Sequence, residues 1–475
     1  MKVLAAFFVN ALFNFLIGLM VAKFLGPEEY GRFALALALG FVVQAFLFDW
    51  IRLSAIRFYS ARTRAEEPDV RATLDAGFAI LALSVALAGA GVLLIGGDLG
   101  LSHALIGLAL AASIANGLFD YSTGLVRASF NDALYTRLVL VKNVLSLALT
   151  TGGAFVFGSA RMALFGAVIS IAGSILIARR PLTDSGSEPR FANYNRARAF
   201  LAYSAPIVTA NLLYILIPLV NRALAARYYG FAETGQFSLA FDLGLRALQA
   251  VGSALDVLLF QIAVAARDTH GPERGRAQIG RNIAIVLAVI APATAGVLFT
   301  LPSVEALAAP PEFRGPFGHY LTLMLPGLAA LVLILFAINP IFQLENKTLP
   351  MIGAALIGAA GTPVILAFLP KTTDASALAL AQSGAYLAAL AALVAFAAAA
   401  KPRWPPARDF LGIAVALAAM CAALWPLRAL APGALALVTQ MTVGAGVYGA
   451  VALAFDVAGL RGPLIDKLRA LARRG

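Results

Sequence analysis

The sequence predicts an all-α polytopic membrane protein of about 14 transmembrane helices, arranged as two parallel-related six-helix bundles plus two C-terminal helices. Three observations lead there: the apolar content, the small share of charge, and an internal repeat. Of 475 residues, 61% are hydrophobic and only 13% charged, against roughly 25% charged in ordinary soluble domains. A helix needs ~20 apolar residues to cross a ~30 Å hydrocarbon core, so about 290 apolar positions supply about 14 crossings. The connections then average about 13 residues, too short for a soluble catalytic domain. The apolar runs are continuous rather than alternating, which argues against a transmembrane β-barrel.

In chain order, apolar runs bounded by charge or turn residues place helices near residues 3–24, 33–51, 76–95, 101–125, 138–158, 162–178 and 199–221. Seven more lie near 237–264, 282–300, 319–340, 350–369, 378–399, 410–428 and 433–457. The first run follows Met1-Lys2 and lacks a small-residue cleavage site, so it reads as a retained helix rather than a signal peptide. These runs group as an N-terminal bundle over 1–198, a C-terminal bundle over 199–409, two additional helices over 410–457 and a basic tail over 458–475.

The net charge of +12 raises the question of nucleic acid, and the placement of the charges answers it. With the N-terminus inside, 27 of the 36 Lys and Arg fall on cytoplasmic segments and 8 on outer loops, Arg246 lying within a helix. That asymmetry is the positive-inside pattern and predicts cytoplasmic N- and C-termini with no nucleic-acid partner. In the tail, Leu464, Ile465, Leu468 and Leu471 recur at helical spacing against Lys467, Arg469, Arg473 and Arg474, a segment expected to lie on anionic membrane lipids. The single Cys421 sits in an apolar run and reads as packing.

Residues 22–36 (AKFLGPEEYGRFALA) align without gaps to 226–240 (ARYYGFAETGQFSLA) at an offset of 204 residues, with seven identities in fifteen. One copy lies between the first and second predicted helices, the other between the seventh and eighth. Six helices separate equivalent points, and an even number returns the chain to the same side. The repeat is therefore parallel, about a pseudo-two-fold along the membrane normal. At residue level the motif reads as structural: Gly26, Gly31, Gly230 and Gly235 turn the chain tightly, and Phe33 and Phe237 start the next helix.

The stretches LGPEEYGRFALALAL at 25–39, FDWIRLSAIRFYS at 48–60, FRGPFGHYLTLMLPGLAALVL at 313–333 and FQLENKTLPMIGAALIGAAGTPVILAFL at 342–369 carry a family resemblance. With them the chain resembles Wzx-type flippases of lipid-linked oligosaccharides, within the multidrug/oligosaccharidyl-lipid/polysaccharide exporter superfamily. The resemblance implies translocation of a polyprenyl-diphosphate-linked oligosaccharide from the cytoplasmic to the outer leaflet of a bacterial inner membrane, for surface polysaccharide assembly. It further implies alternating access around a cationic cavity, no cofactor, and polysaccharide polymerase and chain-length machinery as partners.

Charges within the apolar runs are the site candidates, because each costs several kcal/mol unless it faces a partner or a wet cavity. Asp49 and Arg52 lie three apart on helix 2, and Asp242 and Arg246 four apart on helix 8, the latter also readable as a self-neutralised pair. Arg52 and Arg222 are the best matches to the cavity arginines that the resemblance implies. Arg52, Arg222 and Arg246 are thus the expected diphosphate-binding residues, since Arg grips phosphate oxygens bidentately without losing its proton. Asp49, Asp120, Asp242 and Asp256 are the expected coupling or gating residues, Asp120 and Asp242 as protonatable groups. The 204-residue offset maps Arg52 onto Asp256, so the two are expected to approach when the cytoplasmic entrance closes. Asn116 shares a helix face with Asp120, while Arg127 and Lys142 read as topogenic.

Two other function classes remain open in the sequence. A cation-coupled drug exporter of the same superfamily would favour an acidic or aromatic cavity. A membrane polymerase or ligase would need clustered acid/base residues, whereas His103, His270 and His319 are scattered and no P-loop is present. A non-enzymatic transporter is the expectation, with a peptidoglycan-precursor flippase as a neighbouring possibility.

Overall fold

A computed structural model describes residues 2–60, 66–95, 100–129, 131–183, 187–345, 347–370, 372–400, 402–459 and 461–462. The expected amphipathic tail lies outside the described residues. Among the described residues there is no strand. The helices are α1 (Lys2–Leu47), α2 (Asp49–Phe58), α3 (Pro68–Ile95), α4 (His103–Ala128), α5 (Asp132–Phe157), α6 (Ala160–Leu182) and α7 (Tyr194–Tyr229). They continue as α8 (Phe231–His270), α9 (Pro272–Ala308), α10 (Pro316–Leu333), α11 (Leu349–Phe368), α12 (Ser376–Ala399), α13 (Ala407–Leu424) and α14 (Ala434–Ala454).

Among the described residues, twelve helices are long and apolar enough to cross a membrane, with Val9–Leu47 counted once and Ala160–Leu176 counted as shorter. α1 is two crossings in one run, broken at Gly26 (φ 68°, ψ 175°) with Pro27 opening the second leg. Counting both legs and α6 gives fourteen apolar helical segments among the described residues, in keeping with an all-α multi-pass membrane protein, and every expected apolar run falls on helical structure. The difference lies in the ends. α7, α8 and α9 run 36, 40 and 37 residues, because backbone hydrogen bonding continues past the point where charged flanks end the apolar run. Asn131 and Asn193 fix two of the starts, their side chains accepting backbone N–H bonds from the first turns of α5 and α7.

The chain divides into two compact units, Met1–Leu239 with Leu366–Leu378, and Ala240–Ile365 with Ala379–Gly475. The first unit has a core of Phe48, Ile51, Leu74, Phe78, Tyr121 and Phe200, which joins α2, α3, α4 and α7. A second cluster of Phe119, Leu138 and Ile171 joins α4, α5 and α6.

Both copies of the sequence repeat lie in the first unit but for the last residue of the second, Ala240, and their glycine turns adopt the same conformation. Gly230 (φ 88°, ψ 174°) matches Gly26, in a region of backbone space open essentially to glycine alone. One turn on, a Cβ on Gly31 would overlap the carbonyl oxygen of Phe231, and a Cβ on Gly235 would overlap that of Pro27. The two copies therefore cross backbone to backbone, reciprocally, as a two-fold relation requires. The acids of the motif act alike: Glu29 accepts from the Ala160 N–H that opens α6 (2.8 Å), and Glu233 from the Ala375 N–H just before α12 (3.3 Å). Arg32 bonds Glu28 and Glu29 and lies 5.0 Å over the Phe231 ring.

In the second unit, α10 passes through a π-helical stretch at Ile334–Ile338 into a last helical turn, Asn339–Leu344. The Gly327 N–H donates to Ser383 Oγ at 2.8 Å, drawing α10 against α12. α9, α13 and α14 share apolar clusters around Ala284, Ile413 and Val457, and around Ala416, Met420 and Tyr448.

Candidate functional site

The charges of the first unit gather where α1 gives way to α2. Phe48, 1% exposed, turns its ring onto α4 at Gly117, where a Cβ would stand 2.7 Å from the ring. That fit sets the register of α2 against α4. Asp49 then opens α2, an acid in the first turn where the helix dipole favours it. Arg52 Nε lies 3.4 Å from Asp49 Oδ1, a long contact between half-buried groups.

Asp120 lies on the α4 face marked by Gly117 and Gly124, within reach of the same corner. Its Oδ2 accepts from the buried amide of Gln44 at 2.7 Å, and Gln44 Oε1 is without a hydrogen-bond partner among the described residues. The charges that act on Asp120 are Arg52, Asp49 and Lys142. Lys142, on α5, holds its ammonium 5.1 Å over the Phe119 ring. Two carboxylates and two cations thus share one corner and balance formally. An uncharged network adjoins it: Asn143, fully buried, donates to Asn10 Oδ1 at 3.0 Å, and Asn14 also bonds Asn10.

The other expected site residues are placed differently. Asn116 turns back to the Ala112 carbonyl of its own helix. Arg222 is buried, and its Nη1 donates to the Ala34 carbonyl of α1 at 3.2 Å, joining α7 to α1. Asp242 and Arg246 are both half-buried, one turn apart on α8, in the second unit. Asp256 lies on α8, and its side chain is outside the described residues, as is therefore its expected pairing with Arg52. Arg127 is exposed at the end of α4.

Sequence reasoning missed Gln44, which carries no charge, and a second knot that stands apart from the cluster. There Arg71 makes two 2.9 Å bonds to Asp75, lies over the rings of Tyr59 and Tyr121, and shares Asp75 with the Tyr121 hydroxyl (2.6 Å). The i,i+4 spacing of Arg71 and Asp75 was the available signal. Arg196 bonds Asp69 and Glu67 nearby, and so ties the start of α7 to the start of α3.

Chemically, the corner offers a guanidinium for bidentate anion contact, an ammonium as a point charge, and a carboxylate whose protonation leaves the cations in excess. Among the described residues no three His, Cys, Asp or Glu side chains converge as metal ligands.

No protein-family model matches the sequence, and none of the curated proteins matches it. Solved structures do match the fold. A lipid II flippase MurJ in an inward closed conformation superposes with a TM-score of 0.72 at 14% identity, covering 95% of this chain and 98% of that one. An inward-facing multidrug resistance MATE transporter of the MOP superfamily superposes at 0.59 and 13% identity, covering 81% and 93%. A point mutant of the Vibrio cholerae MATE transporter VcmN gives 0.50 at 18% identity, covering 84% and 93%. The chain is a multi-pass membrane protein that shares the fold of these solved flippase and MATE transporter structures.

Proposed function

We propose that the chain is a flippase that moves a polyprenyl-diphosphate-linked oligosaccharide from the cytoplasmic to the outer leaflet, by alternating access, for surface polysaccharide assembly. The observation that carries this reading is the corner of Asp49, Arg52, Asp120 and Lys142, where Arg52 contacts Asp49 at 3.4 Å and Arg52 and Lys142 both act on Asp120. The diphosphate takes Arg52 and Lys142, and Asp120 accepts a proton as the anion arrives. Arg246, on α8, and Arg222, whose Nη1 also donates to the Ala34 carbonyl, are further proposed diphosphate contacts. Asp49, Asp242 and Asp256 serve coupling or gating. The near end-to-end likeness to a lipid II flippase supports a lipid cargo. With the cell interior negative, moving two negative charges outward gains roughly 2 × 2.3 kcal/mol at 100 mV if no protein charge moves with them. The polysaccharide polymerase and chain-length machinery are proposed partners, and the bacterial inner membrane, with both termini cytoplasmic, is the proposed location.

A cation-coupled drug exporter is the second reading, favoured by the likeness to MATE transporters and by the carboxylates of the same corner. The leaflet distribution of lipid-linked oligosaccharide separates the two. Cells lacking the protein should accumulate it on the cytoplasmic side, cured by the wild type and not by well-expressed Arg52→Ala. A normal distribution, with no redundant flippase, sinks the oligosaccharide reading.

A further inference from the structure

In the second unit, three chain segments on one side of the bundle line an open cavity of about 550 Å³ whose walls mix arginines with apolar surface. The start of α9 supplies Arg281, the segment before α13 supplies Arg403, Trp404 and Arg408, and the turn after α14 supplies Asp456 and Gly459. Alternation of the crossings puts all three on the side that carries the basic loops.

The walls are built rather than incidental. Arg281 Nε donates to the Ala458 carbonyl at 2.9 Å and its Nη2 to Gly459 at 3.3 Å. Asp409, 7% exposed, accepts from the Ala458 N–H at 3.1 Å. Between them they hold Asp456 (φ 52°) and Ala458 (φ 56°) in left-handed backbone, a cost that persists only where surrounding structure enforces it. Across the cavity, a Cβ on Gly280 would overlap the Arg403 carbonyl oxygen, so α9 seats the loop directly.

The charges leave a cationic surplus. Three arginines line the cavity against two aspartates, Asp409 and Asp456, and both acids already accept backbone N–H bonds, from Ala458 and Arg461. Arg403 shares an exposed contact with Glu273 at 3.3 Å. Arg408 is without an ion-pair partner among the described residues. The chain's own C-terminal segment is a poor occupant, since Lys467, Arg469, Arg473 and Arg474 make it cationic.

The apolar surroundings favour a lipid over a soluble anion. Immediately after Arg408 and Asp409, α13 presents Phe410 and Leu411, 43% and 59% exposed. Ala284 and Ile413, about one turn further along α9 and α13, form an apolar cluster with Val457 of the turn itself. The headgroup–acyl boundary thus falls at the cavity, and Trp404 occupies the interfacial level that Trp prefers.

We infer that this cavity binds the phosphate headgroup of an anionic phospholipid of the inner leaflet, with Arg281, Arg403 and Arg408 as its cationic contacts and its acyl chains along Phe410 and Leu411. The inference is independent of the cargo proposed above. Removing one arginine near an anionic lipid surface weakens binding about five-fold.

The test titrates the full-length purified protein in detergent with phosphatidylglycerol, phosphatidylcholine or inorganic phosphate, following the thermal midpoint. Phosphatidylglycerol is expected to raise the midpoint above phosphatidylcholine. Arg408→Gln and Arg403→Gln should each shift the half-saturating phosphatidylglycerol upward, while Arg137→Gln, exposed on α5 in the other unit, should not. Because Arg281 also holds the turn after α14, its variant is not needed. Unchanged titration in both Arg408→Gln and Arg403→Gln overturns the site, as does an equal effect of Arg137→Gln. Equal protection by inorganic phosphate overturns the lipid assignment.

Discussion

Replacing Gly31 with alanine tests the backbone crossing of the two repeat copies directly. The added methyl would stand 2.9 Å from the Gly235 nitrogen, besides overlapping the Phe231 carbonyl oxygen. Ordinary contact begins near 3.4 Å, so the helices must part by about 0.5 Å at the nitrogen and more at the carbonyl, and no side-chain rotation can relieve it. Overpacking of this kind costs about 1–3 kcal/mol, and two rigid backbones belong at the upper end. Alanine in place of glycine returns about 1 kcal/mol of helix propensity, leaving a net loss of about 2 kcal/mol. Gly152→Ala on α5 is the matched control, since its Cβ meets nothing within 4 Å. The assay is the thermal midpoint of purified protein, with leaflet distribution of cargo in cells as the functional readout. Because the clash at Gly235 is reciprocal, Gly31→Ala and Gly235→Ala should combine to less than the sum of the single losses, helices parted for one methyl admitting the other. Gly31→Ala melting with Gly152→Ala, or full additivity of the pair, refutes the crossing as drawn.

Three further outcomes are expected. Gln44→Ala removes the neutral donor from Asp120 and should cost about 1.5–3 kcal/mol, the range for a hydrogen bond to a charged group, seen as a lowered midpoint; Gln44→Glu, which sets a second acid beside Asp120, should fare no better. Arg196→Ala breaks exposed ion pairs to Glu67 and Asp69, so its loss should stay near 0.5–1 kcal/mol, about the range for surface pairs, and should shrink at high salt; a loss unchanged by salt counts against an electrostatic origin. Glu345, in the loop after α10, has its carboxyl lowered below the ordinary range by the Lys347 hydrogen bond, partial burial opposing and Arg276 assisting. A lowered folded pKa stabilises above the unfolded value of about 4.3 and is lost as pH falls through the folded value, so Glu345→Gln should flatten that acid limb of the thermal midpoint by under about 1 kcal/mol; an unchanged limb refutes the assignment.

Asp49, Arg52 and Asp120 are legible in the sequence because a charge in an apolar run is conspicuous wherever it ends up. Their mutual proximity is not, since Asp49 and Asp120 sit on different helices and meet only because Phe48 finds room at Gly117. Lys142, which reads from sequence as topogenic, acts on Asp120 from α5. Arg222, which reads as a cavity arginine, donates to a backbone carbonyl 188 positions away. Gln44 is silent because a neutral amide barely disturbs a hydropathy profile.

The number of crossings, the helical class and the repeat follow from the order of residues, because each depends on local quantities: transfer of apolar side chains into hydrocarbon, and internal satisfaction of every backbone group there. Which polar groups meet is a matter of tertiary packing. The bonds of Gln44 to Asp120 and of Asn143 to Asn10 join residues 76 and 133 positions apart. The tight crossing at Gly31 and Gly235 likewise depends on where whole helices lie. Hydropathy says that a helix is buried in lipid, and only packing says which face it turns to which neighbour.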